Sequence, residues 1–598
     1  MTAWCMFLAA SMSALQMAGK SSRPASGQTE LVGLWKAKRI FGPEVRGTLT
    51  LTHERGWSAE IMGYRVDATV QEQRVGFEIP GHRGEFRASL PGTGGVIEGY
   101  WVQPKTIIGG GQLFASPVTL MPLGQGRWRG QVVPLNDELT LYLLVATDSD
   151  GSTRAVLRNP ERNIGHIFKI RHLERDGNAI RLTRPQQSDT TRDTLAIPGS
   201  YREVDDRLSL FLPEWGGTYD FIRIDSDPAS GFYGRGRNPP PYQYRAPSAE
   251  PDGWVIGRLD DVGMTVDSIR SFIETVVYRP VTSVHDPDLH ALLIARHGKL
   301  VLEEYFHGFH RELPHDTRSA SKSLASTLIG AAIAKGVRLT ASSPVYSIMY
   351  RDTIPSYIDP RKRRITLEHL LTMSAGLDCD DFFDRSSKGR EDVLQGQTTE
   401  PDWYRYTLEL PMVREPGKQA LYCSALPNLA GGVLQAASGR SLHDLVWSLI
   451  AEPLQIRRYY LNLTPTGTPF FGGGSYWLPR DFMKLAQLMV SRGVWNGRRV
   501  VSEDWATRST SRQTDIRLRG NQPYGYLWWN VDYAWHGKTI RGFFASGNGG
   551  QIVMGIPALD LVVAFYAGNY NDGVFFRIQD EFVPRYILPA IKAEKNGP

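Results

Sequence analysis

Residues 318–336 read Arg-Ser-Ala-Ser-Lys-Ser-Leu-Ala-Ser-Thr-Leu-Ile-Gly-Ala-Ala-Ile-Ala-Lys-Gly. Leu324, Leu328, Ile329, Ala332 and Ile333 recur at helical spacing, and Gly336 stands where a helix would stop. Ser319 is therefore expected at a helix start, with Lys322 one turn along on the same face. The unpaired N–H groups of a helix start give a serine there a positive local potential. A buried lysine loses hydration and can shed its proton near neutral pH, which would make it a base. Ser319 and Lys322 thus form a candidate activated nucleophile. The plainer reading of the same residues is a serine cap followed by a surface lysine, so the pair needs support from elsewhere in the chain.

The chain has 598 residues, too many for one core, and about two or three domains are expected. Hydrophobic residues make up 41% and charged residues 22%, the balance of a soluble globular protein. A net charge of +6 is small for this length. The basic run Arg361-Lys362-Arg363-Arg364 reads as a solvated loop, and no aromatic-interleaved basic stripe points to nucleic acid. Cys5, Cys379 and Cys423 lack metal-ligand spacing, and their pairing is not readable. Ala3 to Ala18 is an apolar run of signal-peptide length without a basic leader. Residues 1–24 are expected to be a signal peptide, with a periplasmic or secreted mature chain; a cytoplasmic chain is the alternative. No segment has the length and apolarity of a membrane span.

Residues 25–237 are dominated by short strand-like runs between Gly, Pro and Asp turns. Thr48 to Thr52 alternates, Leu139 to Val145 reads as a buried strand, and Gly33-Leu34-Trp35 and Gly126-Arg127-Trp128 look like strand starts. An all-β barrel or sandwich is expected, a lipocalin-like barrel being one form. Its role is not legible: ligand binding, support of the next domain, or shaping of a site entrance. Residues 238–265, rich in proline around Pro239-Pro240-Pro241, read as a linker.

From residue 266 the pattern changes. A hairpin over 290–306 precedes the Ser319 helix, and helices are expected from Ile365, Leu429 and Leu442. Strands return at Tyr526–Val531, Thr539–Phe544, Gln551–Ile556 and Leu561–Tyr566, before a helical end. One antiparallel sheet assembled from both ends, flanked by helices and with a helical subdomain inserted, fits this order.

Within 266–598 a set of motifs stands in one order: Gly298-Lys299-Leu300-Val301-Leu302-Glu303, Ser319-x-x-Lys322, Thr366 to Leu377, Pro416-Gly417 with Tyr422-Cys423-Ser424, Gly525-Tyr526-Leu527-Trp528-Trp529 and Gly547-Asn548-Gly549-Gly550-Gln551. Together they resemble the serine hydrolases of the class C β-lactamase and penicillin-binding-protein superfamily. The pattern is similar to 6-aminohexanoate-dimer hydrolases and related esterases. The resemblance implies an α/β β-lactamase-like domain, Ser319 as acylated nucleophile, Lys322 as base, and Tyr422 as proton shuttle. A free tyrosine near pKa ~10 is a poor base, but a neighbouring ammonium would favour its phenolate. Ser424 is expected to hydrogen-bond substrate or Lys322. The N–H of Ser319 and that of Asn548, beside Gly547 and Gly549, would hold the oxyanion.

The chain departs from the lactamase pattern at Ala545-Ser546-Gly547, where many relatives carry a cation for a substrate carboxylate. Lys538-Thr539 lies too early to supply it. Carboxylesters or small linear amides are therefore expected as substrates, with a D-Ala-D-Ala peptidase or β-lactamase and a catalytically silent binding protein as alternatives. No metal and no other cofactor is expected, and the partner is a small molecule. His307, His310 and His315 read as hairpin-edge residues, His369 as packing, and Asp378, Asp380 and Asp381 as a solvated turn.

Overall fold

The computed structural model describes residues 29–91, 95–108, 110–184, 196–224 and 231–592, so the expected signal peptide and Cys5 lie outside the described residues. Strand Gly33–Gly42 pairs with Asp137–Thr147 and with Gly217–Arg223. Those strands and Thr153–Arg158, His172–Asp176, Ala179–Thr183, Ile197–Arg202 and Arg207–Leu212 close a barrel. Alternate residues point inward, as period-two patterning requires: Leu208, Leu210 and Leu212 on one strand, Tyr219 and Phe221 on the next. Trp35 meets Tyr201 edge-on, and the interior is packed with such side chains.

Between the first two strands of that barrel the chain makes a second β unit. Its eight strands run from Gly47–His53 to Arg127–Val132. The last of them pairs with both Gly47–His53 and Leu113–Gly124, so this sheet also closes on itself. It has its own core around Leu49, Phe77, Phe86, Trp101 and Leu120. The N-terminal region is therefore two nested β units, not one barrel or sandwich.

The sheet does not stop there. Leu113–Gly124 pairs with Tyr459–Leu463, which pairs with Tyr476–Trp477, which pairs with His315–Asp316. A hydrogen-bonded ladder thus runs from the inserted β unit to within three residues of Ser319. The Pro-rich stretch is also tied down, with Tyr242 and Trp254 buried and Val255–Ile256 parallel to Lys299–Tyr305.

The second domain has the expected sheet built from both ends. Its order is Val255–Ile256, Lys299–Tyr305, Leu289–Arg296, Leu561–Ala567, Gln551–Ile556, Lys538–Gly547, Trp529–Trp535, Asn521–Tyr524 and Thr514–Arg517. Leu289–Arg296 is buried along its whole length, as a central strand covered on both faces should be. The structure is thus an all-β N-terminal region followed by a β-lactamase-like α/β domain. Helix Lys322–Ala334 is buried from Lys322 to Ala332, so it is a core helix and not an amphipathic surface one. Gly336 follows it at φ 90°. Among the described residues no helix is long and apolar enough to cross a membrane.

Two local readings change. The Arg361–Arg364 run is a helical turn in which Lys362 is buried and donates to the Leu408 carbonyl at 2.7 Å. His307 and His315 follow the hairpin but are not at its surface. They are buried with His290 around Asp288, which also meets Arg158 of the first barrel at 3.3 Å. The two domains share a buried polar cluster there.

Candidate active site

Ser319 sits in a tight turn, Arg318–Ser321, immediately before helix Lys322–Ala334. Arg318 has φ 47°, a conformation unfavourable for a long L side chain. It is held by Asp316, whose carboxylate accepts the Arg318 N–H at 2.8 Å and pairs with its Nε at 3.0 Å. The Arg318 guanidinium also lies 4.7 Å from the Tyr570 ring centroid. Behind the turn, Ser321 Oγ is 2.6 Å from Thr317 Oγ1 and 2.7 Å from Ser475 Oγ. The backbone strain before Ser319 is over-determined by these contacts, which fixes where its hydroxyl points.

Lys322 Nζ donates to Ser319 Oγ at 2.9 Å and to the Gly472 carbonyl. The same ammonium lies 4.8 Å from the Tyr422 ring centroid, and the Tyr422 phenol is electrostatically coupled to Lys322 and Ser319. Tyr422 is clamped between Phe382, 5.1 Å away, and Trp529, 5.7 Å away, with both rings stacked on it. Trp529 ends the Gly525 to Trp529 motif, whose Leu527 carbonyl accepts from Ser323 Oγ on the Ser319 helix. That motif therefore ties the tyrosine's aromatic wall to the serine's helix.

The charge state differs from the sequence expectation. Burial works against the Lys322 ammonium, but the Tyr422 oxygen, Glu391 and Asp381 outweigh it, and the amine is held above its ordinary value. Burial likewise raises the Tyr422 phenol, and Lys322 and Ser319 offset this only in part. Both directions favour the protonated forms, the ammonium of Lys322 and the phenol of Tyr422, over a free amine.

The acidic turn is the residue set that the sequence concealed. Asp381 is only partly exposed, at the cleft wall, and its carboxylate is engaged by the protein. Its Oδ2 accepts the Ser424 N–H and hydroxyl, each at 2.8 Å, and burial and Glu391 push its carboxyl up to about 6. Asp380 caps the turn by accepting from the N–H groups of Phe382 and Phe383. Ser424 is fully buried, is bonded to Asp381, does not line the cleft and makes no hydrogen bond to Lys322, one of its two expected partners. A Cys379–Cys423 disulfide spans the same two segments.

Strand Lys538–Gly547 ends against the serine turn. A Cβ on Gly547 would lie 2.3 Å from the Thr317 carbonyl oxygen, so only glycine allows this approach. Asn548 follows at the cleft wall, its side chain paired reciprocally with Asn571 at 2.7 and 2.8 Å. Among the described residues neither the Ser319 N–H nor the Asn548 N–H is spent on a hydrogen bond. Gly549 lies behind the wall, where a Cβ would strike the Tyr570 ring, and does not line the cleft. Lys538 is at the far end of this ten-residue strand, about 30 Å away at the usual rise.

These groups open into a cleft of about 700 Å³ whose walls include Phe382, Trp529, Phe544, Phe575 and Phe576. Gln112 of the inserted β unit and Asn462 of the strand paired to it also line the cleft. No sequence signal marked either one, because only the inter-domain ladder brings them here. The Gly472 carbonyl, which accepts from Lys322, likewise comes from a segment that no sequence motif marked.

Residues 290–581 match the beta-lactamase family model. This part of the chain is a beta-lactamase family domain. A 6-aminohexanoate-dimer hydrolase of Paenarthrobacter ureafaciens is 27% identical over 305 residues, 46% of this chain and 76% of that protein. Among solved structures, a family VIII carboxylesterase is 16% identical, covering 57% of this chain and 98% of its own, at a TM-score of 0.43. An octameric penicillin-binding protein homologue of Pyrococcus abyssi is 18% identical, covering 56% and 80%, at 0.42. The beta-lactamase family domain thus holds Ser319, Lys322, Tyr422 and the glycine-rich strand end, and the β units preceding it lie outside the match.

Proposed function

We propose that this protein is a serine hydrolase that cleaves carboxylesters or small linear amides through an acyl-enzyme on Ser319. The observation that carries the reading is the 2.9 Å approach of Lys322 Nζ to Ser319 Oγ at the cleft floor, with Tyr422 against both. Loss of one proton from the Lys322–Tyr422 pair creates the base, and that proton belongs to the pair and not to either residue. The base takes the Ser319 proton as Oγ bonds to the substrate carbonyl carbon, and the N–H groups of Ser319 and Asn548 hold the oxyanion. The proton passes to the departing alkoxide or amine as its bond to carbon breaks. Water, deprotonated by the same pair, then releases the acid and restores Ser319.

The aromatic walls suit an apolar acyl or alcohol portion. Ala545 stands where a cation would grip a β-lactam or D-alanine carboxylate, which favours esters and linear amides over those substrates. The relative from Paenarthrobacter, named for a linear amide dimer, supports the amide branch. The Cys379–Cys423 disulfide supports a periplasmic or secreted setting.

The test is a panel of short-chain esters, linear amides including 6-aminohexanoate dimer, D-amino peptides and β-lactams, run on wild type and Ser319→Ala. Ester or amide turnover abolished by Ser319→Ala is the expected result. Full turnover in Ser319→Ala excludes the mechanism, and a Ser319 inert to a fluorophosphonate makes the protein a binding protein.

A further inference from the structure

Away from Ser319, three chain segments bring His166, His285 and Asp572 together. His166 is on the short helix Ile164–Phe168 of the first barrel, His285 precedes strand Leu289–Arg296, and Asp572 follows strand Leu561–Ala567. His285 Nδ1 lies 2.5 Å from Asp572 Oδ2, and His166 Nδ1 lies 3.5 Å from the same oxygen. The two imidazoles stand 5.4 Å apart at 88°, and one ligand atom from each of the three residues falls within 4.8 Å of the others. A tetrahedral Zn²⁺ with ligands near 2.1 Å separates them by about 3.4 Å, so shifts of roughly an ångström gather this set around an ion.

A second observation points the same way. His166 Nδ1 is buried and has no hydrogen-bond partner, although it faces the Asp572 carboxylate. A buried polar nitrogen left unpaired is costly, and a metal ion is one of the few partners that would satisfy it together with the carboxylate. Asp572 is pre-oriented because its Oδ1 accepts the Val574 N–H at 3.1 Å. His285 is half exposed, which leaves a route for the ion and a fourth position for water. Two imidazoles and one carboxylate suit Zn²⁺ better than the oxygen-seeking Ca²⁺ or Mg²⁺.

We propose that His166, His285 and Asp572 bind one Zn²⁺, which clamps the first barrel to the rim of the cleft. Asp572 lines that cleft, and its neighbour Asn571 holds Asn548 at the glycine-rich strand end. The ion touches none of the reacting atoms, so the site stands or falls independently of the acyl-enzyme reading.

The test uses the full chain, stripped with a chelator and titrated with Zn²⁺ by calorimetry, and with Co²⁺ by its visible d–d absorption. One ion per chain is expected, with a rise in Tm on binding. His166→Ala and His285→Gln, each checked for folding by its metal-free Tm, should weaken binding more than the roughly 10–100-fold that a lost outer-shell contact costs. The control is His297→Ala, which disrupts another His–Asp contact, His297 Nδ1 to Asp560 Oδ2 at 3.3 Å, and should leave the affinity unchanged. Binding well below one ion per chain, or affinity unchanged in both His166→Ala and His285→Gln, overturns the proposal. If either variant fails to fold, the Co²⁺ spectrum of wild type decides, because bands without nitrogen ligation are equally fatal.

Discussion

Asp381 and Ser424 are joined twice, one carboxylate oxygen accepting both the backbone N–H and the hydroxyl of the serine at 2.8 Å. The Asp381 N–H returns a bond to the Tyr422 carbonyl at 2.9 Å, and the Cys379–Cys423 disulfide crosses the same gap. The segment carrying Tyr422 is therefore fixed to an acidic turn, and that turn sets the field in which Lys322 titrates. Position and protonation of the candidate base have one source.

That coupling predicts the pH profile. Glu391 and Asp381 both help hold Lys322 above its ordinary value, so the Lys322–Tyr422 pair should lose its proton only on the alkaline side. Hydrolysis should rise with pH along that limb. Removing a negative charge makes the ammonium easier to deprotonate, so Glu391→Gln should move the rising limb to lower pH. Asp381→Asn should move it in the same direction with a lower maximum, since Ser424 loses part of its acceptor. Profiles of kcat/KM against pH for the three proteins check this; a limb that moves to higher pH in Glu391→Gln refutes it.

Gly547→Ala addresses the strand end. The added methyl meets backbone at Thr317, which cannot rotate away as a side-chain tip could. The strand must back off from the serine turn and carry the Asn548 N–H with it. Loss of one oxyanion donor costs about 10²–10³ in rate, and kcat should fall on that scale with a smaller change in KM. An unchanged kcat would show that this strand end does not serve the reaction.

Which parts of this molecule were legible follows from how local each signal is. Ser319, Lys322 and Tyr422 were readable because each sits in a short motif, and the all-β and α/β halves because strand and helix periodicities differ. The nesting of two β units was not, since Gly33–Gly42 finds its partner a hundred residues on, at pairs such as Gly33 with Val145. Asp381 was misread for a similar reason. A run of aspartates after Gly376-Leu377 looks like a solvated turn until the fold sets Ser424 against it. The sign of the Lys322 shift was missed with it, because burial alone was visible in a buried helix and the neighbouring carboxylates were not.

Arg158 is the residue through which the first barrel meets the buried cluster. Burial alone would raise the Asp288 carboxyl, but Arg158 and the surrounding histidines hold it far below its ordinary value. Both side chains are almost wholly buried, at 4% and 5% exposure. Arg158→Met removes the guanidinium that offsets that buried carboxylate and should destabilise the chain by about 3–5 kcal/mol. Adding Asp288→Asn should recover much of the loss, which a packing defect alone would not allow. Urea unfolding of the single and double variants measures both.

Acid should weaken the same contact for a separate reason. Burial lowers His307 and His315 from an ordinary 6.5 to about 3 each, so both stay neutral in the folded chain. Below pH 6.5 the unfolded chain takes up protons that the folded chain refuses, and stability falls as pH drops from 6.5 toward 3. Each histidine contributes a slope approaching about 1.4 kcal/mol per pH unit, and nothing above its unfolded value. Urea midpoints should therefore be flat from about pH 8 to 7 and decline from about pH 6 to 5, before most carboxylates titrate. His307→Asn should make that decline shallower even if it lowers the plateau, and a wild-type midpoint that stays level to about pH 5 would show that these imidazoles charge without cost.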